Sequence, residues 1–204
     1  MKVADHCVGW LDAQAPRSVV YASLGSVVEL TAEEVAEMAH GLASTGRPFL
    51  RVVRPDTRPL LPEGFLDAIA ARGMVVLWSP QERVLAHGAT ACFLTHCGWN
   101  STLETVAAGV PVVAFPQWGD QCSDAKLLVD ELGMGVRLRA PLRREAVREA
   151  ADAAVAGPET DRRRARQRPV VERGGAGGRG ARRVVGPARA GVRGRAEGKM
   201  PRSS

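Results

Sequence analysis

Between Val19 and Leu138, short apolar runs alternate with segments of helical pattern, and this alternation constrains the fold more than any other feature. The runs are "PRSVVYASLGS" (16–26), "PFLRVV" (48–53), "MVVLW" (74–78), "TACFLT" (90–95), "VPVVAF" (110–115) and "GVRL" (135–138). Most are continuously apolar rather than alternating. A strand apolar on both sides is buried on both faces, and helices between such strands imply a parallel sheet covered above and below. The helix signals agree. Thr31 and Glu34 have capping-box spacing, Val35, Met38, Ala39 and Leu42 share one face, and Gly46 is a stop. Further helices are expected over Phe65–Ala71, "PQERVLAH" (80–87), "STLETVAAG" (101–109, capped by Asn100 or Ser101), "DQCSDAKLLVDEL" (120–132) and "LRREAVREAADAAVAG" (142–157). The expected fold class is α/β, a Rossmann-like doubly wound domain over residues 17–157, with residues 1–16 as a linker remnant.

Composition sets further bounds. The net charge of +6 is unevenly spread. Asp161–Ser204 carries 13 Arg and one Lys against three acidic residues, a local +11, while Met1–Thr160 carries 14 basic against 19 acidic residues, −5. The basic character belongs to the tail, so it is no argument that the folded part binds nucleic acid. No apolar run approaches the roughly 18 residues of a membrane helix, and "MKVADHCVGW" has no apolar h-region. Cys7, Cys92, Cys97 and Cys122 lack framework spacing, which suits reduced thiols and a cytoplasmic location.

In doubly wound sheets, ligands sit outside the carboxyl ends of the strands. The polar and Gly- or Pro-rich pieces fall at those ends: "GS" (25–26), "WSPQ" (78–81), "HCGWNS" (96–101) and "PQWGDQ" (116–121). Within "THCGWNSTLE" (95–104), Cys92, His96 and Cys97 lack a second Cys/His pair at zinc-like spacing, so no metal is expected and the cysteines read as packing. Ser101 lacks the G-x-S-x-G elbow of a hydrolase nucleophile. Neither G-x-G-x-x-G nor a Walker loop is present, which disfavours a dinucleotide or P-loop site. A helix N-terminus with Asn100, Ser101 and His96 beside it suits a phosphate group. Glu104, one turn on, suits paired hydroxyls such as a ribose's. Trp78 could stack on a base or pack in the core. Asp120 and Gln121 could bind sugar hydroxyls or cap the next helix.

The 44 positions from Trp78 to Gln121, "WSPQERVLAHGATACFLTHCGWNSTLETVAAGVPVVAFPQWGDQ", resemble the signature box of plant secondary-product UDP-glycosyltransferases, from its opening Trp to its closing Gln. "SVVYASLGS", "PFLRVVRPD" and "LLVDELGMGVRL" resemble the flanking parts of that family's C-terminal domain, so the likeness covers roughly Cys7–Gly157. The resemblance implies the C-terminal half of a GT-B glycosyltransferase fold, with UDP-glucose as donor and a small, aromatic metabolite as acceptor. It implies that Trp78 stacks on uracil, with the Ser79 backbone and Gln81 holding the nucleoside. Glu104 would bind the ribose, and Ser26, His96, Asn100 and Ser101 the diphosphate. Trp99, Asp120 and Gln121 would meet the sugar, the closing Gln favouring glucose. The family needs no metal or cofactor, and a monomer away from membranes is expected.

The resemblance also has gaps. The family's catalytic base lies in an N-terminal domain that nothing here matches, so no catalytic residue is assigned to this chain, and an inactive UDP-sugar-binding fragment is the alternative. His6 and His40 are poor substitutes. Arg51 stands where members often have an apolar residue. Residues 158–204 are Arg/Gly-rich with few core formers, and are expected to be disordered. Their charge suits nucleic acid, but they contain no aromatic residue to stack on bases. A frameshift accounts for them better: "VERGGAGGRG" (171–180) can be encoded so that a one-base shift reads Trp-Ser-Ala-Ala-Ala-Arg-Glu-Ala-Val, a plausible helix.

Overall fold

The computed structural model describes residues 3–157. The tail 158–204, with its expected disorder and frameshift, lies outside the described residues.

Six strands form one sheet: β1 (Val19–Ser23), β2 (Phe49–Val52), β3 (Gly73–Val76), β4 (Thr90–Thr95), β5 (Val112–Ala114) and β6 (Gly135–Arg137). Every pairing is parallel and the order is β3-β2-β1-β4-β5-β6. This is a doubly wound sheet, the class expected from the apolar runs. The chain winds outward from β1 to β3, then returns beside β1 as β4 and winds the other way. The crevice between β1 and β4 is therefore the topological switch point.

Strand alternation divides β1 between two cores. Val20 and Ala22 point to the face covered by α2 (Ala32–Ser44), α3 (Phe65–Ile69) and α7 (Arg144–Ala156). Val19 and Tyr21 point to the opposite face, under α1 (Val3–Asp12) and α4 (Gln81–Ala86). A third cluster packs β5 against α6 (Asp120–Lys126) and the single π-helical turn Leu127–Glu131 that continues it. The helix expected over 120–132 is thus α-helical only as far as Lys126. The expected faces hold elsewhere. Val35, Met38, Ala39 and Leu42 of α2 are buried, and Thr31 and Glu34 close a reciprocal capping box.

Two segments depart from the expectation. The stretch expected as a linker contains α1, whose Cys7 and Leu11 are buried against Val19, Val84 and Leu85. Strand β3 ends at Val76, so Leu77 and Trp78 have left the sheet.

Candidate functional site

Since all six strands are parallel, the loops after β1, β3, β4 and β5 emerge on one edge. The loop after β4 is tightly built. Thr95 Oγ1 accepts from the Cys97 N–H at 3.1 Å, and Thr102 Oγ1 donates to the Cys97 carbonyl at 3.4 Å. Cys97 takes a left-handed φ of 63°, which turns the chain sharply into helix α5 (Trp99–Ala108). Its side chain packs with Val112, Ala114 and Leu128, as expected of a small hydrophobe. Burial pushes its thiol up to about 12.

Gly98, not Asn100 or Ser101, is the N-cap of α5, and no side chain caps the helix. Asn100 and Ser101 lie inside the first turn. The leading N–H groups of a helix have no intrahelical partner, so an end without a capping side chain leaves them to a ligand.

His96 stands beside this end. It is 7% exposed, and its Nδ1 is buried without a hydrogen-bond partner. Burial lowers its pKa below the usual value, and Asp120 partly offsets this. Two glycines make room for the ring. A Cβ on Gly25 would come within 2.7 Å of His96 Cε1, and one on Gly98 within 2.5 Å of Nε2. At neutral pH a neutral imidazole with an unmet ring nitrogen therefore faces the switch point. Ser26, one residue beyond Gly25, is exposed, and its carbonyl accepts from Arg54 Nη1, which ties this loop to the segment after β2.

One turn into α5, Ser101 and Glu104 meet Gln81, the first residue of α4. Gln81 Nε2 donates to Ser101 Oγ at 2.9 Å and to Glu104 Oε2 at 2.8 Å. Tyr21 of β1 donates to Gln81 Oε1 at 3.2 Å and bonds Ser79 Oγ at 2.9 Å. Around this polar chain stand large exposed rings: Trp78 at 56% and Trp99 at 53%. Core packing for Trp78 is thereby excluded. Asp120 opens α6 and is exposed. Gln121 beside it is 2% exposed, and its Oε1 accepts from the Gln117 N–H at 2.9 Å, so its carbonyl braces its own loop. No group of His, Cys, Asp and Glu among the described residues could hold a metal ion.

Residues 5–158 match the family described as "UDP-glucoronosyl and UDP-glucosyl transferase". The chain belongs to that family. Among its curated relatives are a cinnamate beta-D-glucosyltransferase of Fragaria ananassa and a gallate 1-beta-glucosyltransferase of Punica granatum. The first is 56% identical over 68% of this chain and 26% of its own length; the second is 57% identical over 66% and 28%. Among solved structures, Os79 from O. sativa in complex with UDP is 41% identical with a TM-score of 0.74, covering 79% of this chain and 37% of its own. Phytolacca americana UGT2, complexed with UDP-2fluoro-glucose and pterostilbene, is 38% identical with a TM-score of 0.74, covering 82% and 39%. The chain thus spans about a quarter of these curated relatives and about two fifths of these solved chains. Its sheet is one Rossmann-like domain of the GT-B glycosyltransferase fold.

For a UDP-glycosyltransferase domain, all eleven candidate residues fall on the carboxyl edge of the sheet or in the first turns beyond it: Ser26, Trp78, Ser79, Gln81, His96, Trp99, Asn100, Ser101, Glu104, Asp120 and Gln121. Side-chain hydrogen bonds join four of them: Gln81 bonds Ser101 and Glu104 directly, and Ser79 is linked to Gln81 through Tyr21, which the sequence pattern placed in the core. Its phenol hydroxyl, buried in the middle of a mostly apolar strand and needing a partner, is the signal that could have found it. No helix among the described residues is long and apolar enough to cross a membrane.

Proposed function

We propose that this domain binds UDP-glucose as the donor half of a glucosyltransferase acting on small aromatic acceptors. The observation that carries the reading is the α5 N-terminus, which has no side-chain cap, with the unsatisfied His96 pressed beside it between Gly25 and Gly98. That is an anion site, and Glu104 and the exposed Trp78 give it nucleoside neighbours. The UDP named in complexes of the solved relatives supports the same reading.

In this reading uracil stacks on Trp78, and Gln81 and Glu104 meet the ribose. The α5 N–H groups, Asn100, Ser101, His96 and the Ser26 loop receive the diphosphate. The glucose faces Trp99, Asp120 and Gln121. The acceptor oxygen attacks the anomeric carbon from the side opposite UDP, so the configuration inverts. Negative charge develops on the departing diphosphate, where the helix dipole and aligned donors stabilise it. A base outside residues 3–157, as the family resemblance implies, takes the acceptor's proton. The cinnamate and gallate in the relatives' names favour an aromatic acid whose carboxyl forms a glucose ester.

Calorimetric titration of UDP tests the site. Saturable binding is expected, weakened about 10- to 100-fold in Glu104→Ala, since the charged hydrogen bonds at stake are worth about 1.5–3 kcal/mol. A folded chain without measurable UDP binding overturns the proposal. Incubating the chain with UDP-glucose and an aromatic acid, alone and with a relative's acceptor-binding domain, separates an enzyme from an inactive UDP-sugar-binding fragment.

A further inference from the structure

The hydrogen bonds around Tyr21 have one consistent direction. Gln81 Oε1 can only accept, so Tyr21 donates its single hydroxyl proton there, at 3.2 Å. With that proton committed, the 2.9 Å bond to Ser79 must run from the Ser79 hydroxyl to the phenol oxygen. The Gln81 amide is then oriented, and its two N–H groups point to Ser101 Oγ and Glu104 Oε2. A flipped amide would set its carbonyl against the Glu104 carboxylate, with two acceptors facing each other. The chain of donors runs from Ser79 through Tyr21 and Gln81 and ends on one oxygen of Glu104, leaving the other oxygen to a ligand.

The phenol cannot leave this arrangement cheaply. Tyr21 is 1% exposed and stacks on Phe93, with ring centroids 4.7 Å apart and planes 17° from parallel. Burial pushes its hydroxyl up to about 12, so it remains a donor at neutral pH. Packing alone would be served as well by Phe. The hydroxyl is placed where it acts on the nucleoside end of the site.

We propose that Tyr21 is a positioning residue for nucleoside recognition: its hydroxyl sets the Gln81 amide, which holds Glu104 facing the ribose hydroxyls. This rests on the donor-site reading above and adds to it a residue that does not itself touch the ligand. Such outer partners preserve orientation, so their loss weakens only the contact they orient.

The test is Tyr21→Phe, which keeps the stack on Phe93, titrated with UDP and with 2′-deoxy-UDP. The wild-type chain should prefer UDP. In Tyr21→Phe, UDP should weaken by about 3- to 10-fold, the size of one neutral hydrogen bond, while the deoxy analogue hardly changes, so the preference narrows by the same factor. Equal weakening of both ligands, or an unchanged preference, overturns the positioning role. In a Glu104→Ala background, Tyr21→Phe should have no further effect on UDP, and a fully additive loss would also overturn it. Gln81→Met cuts the relay without disturbing the aromatic stack, so it should narrow the preference at least as much; an undiminished preference counts against the relay. A wild-type chain that does not bind UDP refutes the donor site itself, whereas binding and discrimination shared by wild type and Tyr21→Phe refute only the role of Tyr21.

Discussion

Arg51→Met should stabilise this protein. Arg51 lies in the middle of β2, where its neighbours Leu50 and Phe49 are buried. It is itself 3% exposed, and its guanidinium makes one hydrogen bond, from Nη1 to the Val35 carbonyl at 3.3 Å. No carboxylate among the described residues compensates the charge, and burial lowers its pKa from 12.5 to about 10. At ~1.4 kcal/mol per tenfold, that places the cost of keeping the charge in the folded state on the order of 3 kcal/mol. Against this stands one hydrogen bond worth about 1 kcal/mol, and a helical carbonyl such as Val35 O keeps its backbone partner when the bond is lost. An unbranched Met can follow the path of the Arg51 stem, and replacing a buried charge by an apolar side chain is commonly neutral or stabilising. The expected gain is about 2 kcal/mol, or about 4–8 °C in Tm for a domain of this size. The folded pKa is depressed, so the penalty is full at any pH below about 10 and fades only as the pH rises from there toward 12.5. The gain should therefore be flat across neutral pH. Urea unfolding followed by tryptophan fluorescence measures it as a raised midpoint with an unchanged slope. A midpoint at or below wild type would refute the argument.

Other outcomes follow from the same geometry. Cys7, Cys92 and Cys97 are buried with thiols raised by desolvation, and Cys122 is exposed; a thiol reagent should modify one cysteine quickly and the other three only on unfolding, as a timed colorimetric assay will show. Gly98 has an ordinary backbone conformation, so Gly98→Ala acts by volume alone: its methyl would press on His96, and UDP affinity should fall by about tenfold or more while far-UV circular dichroism stays unchanged. Arg144 joins α7 to α2 by donating from its backbone N–H to Glu37 Oε2 at 2.8 Å and from Nε to Oε1 at 3.0 Å. These bonds hold the Glu37 carboxyl down to about 2, from 4.5. Because the folded pKa is depressed, this contribution is complete above 4.5 and is lost as the pH falls toward 2, so Glu37→Gln should flatten the acid limb of a Tm-against-pH curve.

Much of the site was legible because its chemistry lies in contiguous sequence. The segment from Trp78 to Gln121 contains ten of the eleven candidate residues, and strand-to-helix order alone puts its loops on one edge. What was not legible involves partners distant along the chain. Tyr21 and Gln81 are 60 residues apart and meet only because β1 lies beside β4. In sequence, Tyr21 is one apolar position in an apolar strand. The cap of α5 was misplaced for a related reason. Asn100 and Ser101 are strong capping types, but the turn at Cys97 starts the helix earlier and moves them into its first turn.

The sequence by itself determined that there are six strands, that they are parallel and covered on both faces, and which loops share an edge. These properties follow from hydrophobic periodicity, which each segment expresses without its neighbours. Only the tertiary structure decided the sheet order, the burial of α1 against β1 and α4, the exposure of Trp78, the two-glycine cradle of His96 and the donor chain through Tyr21. Each of these depends on which surfaces meet. Local pattern says that a face must be buried, but the partner is chosen by the packing of the whole sheet.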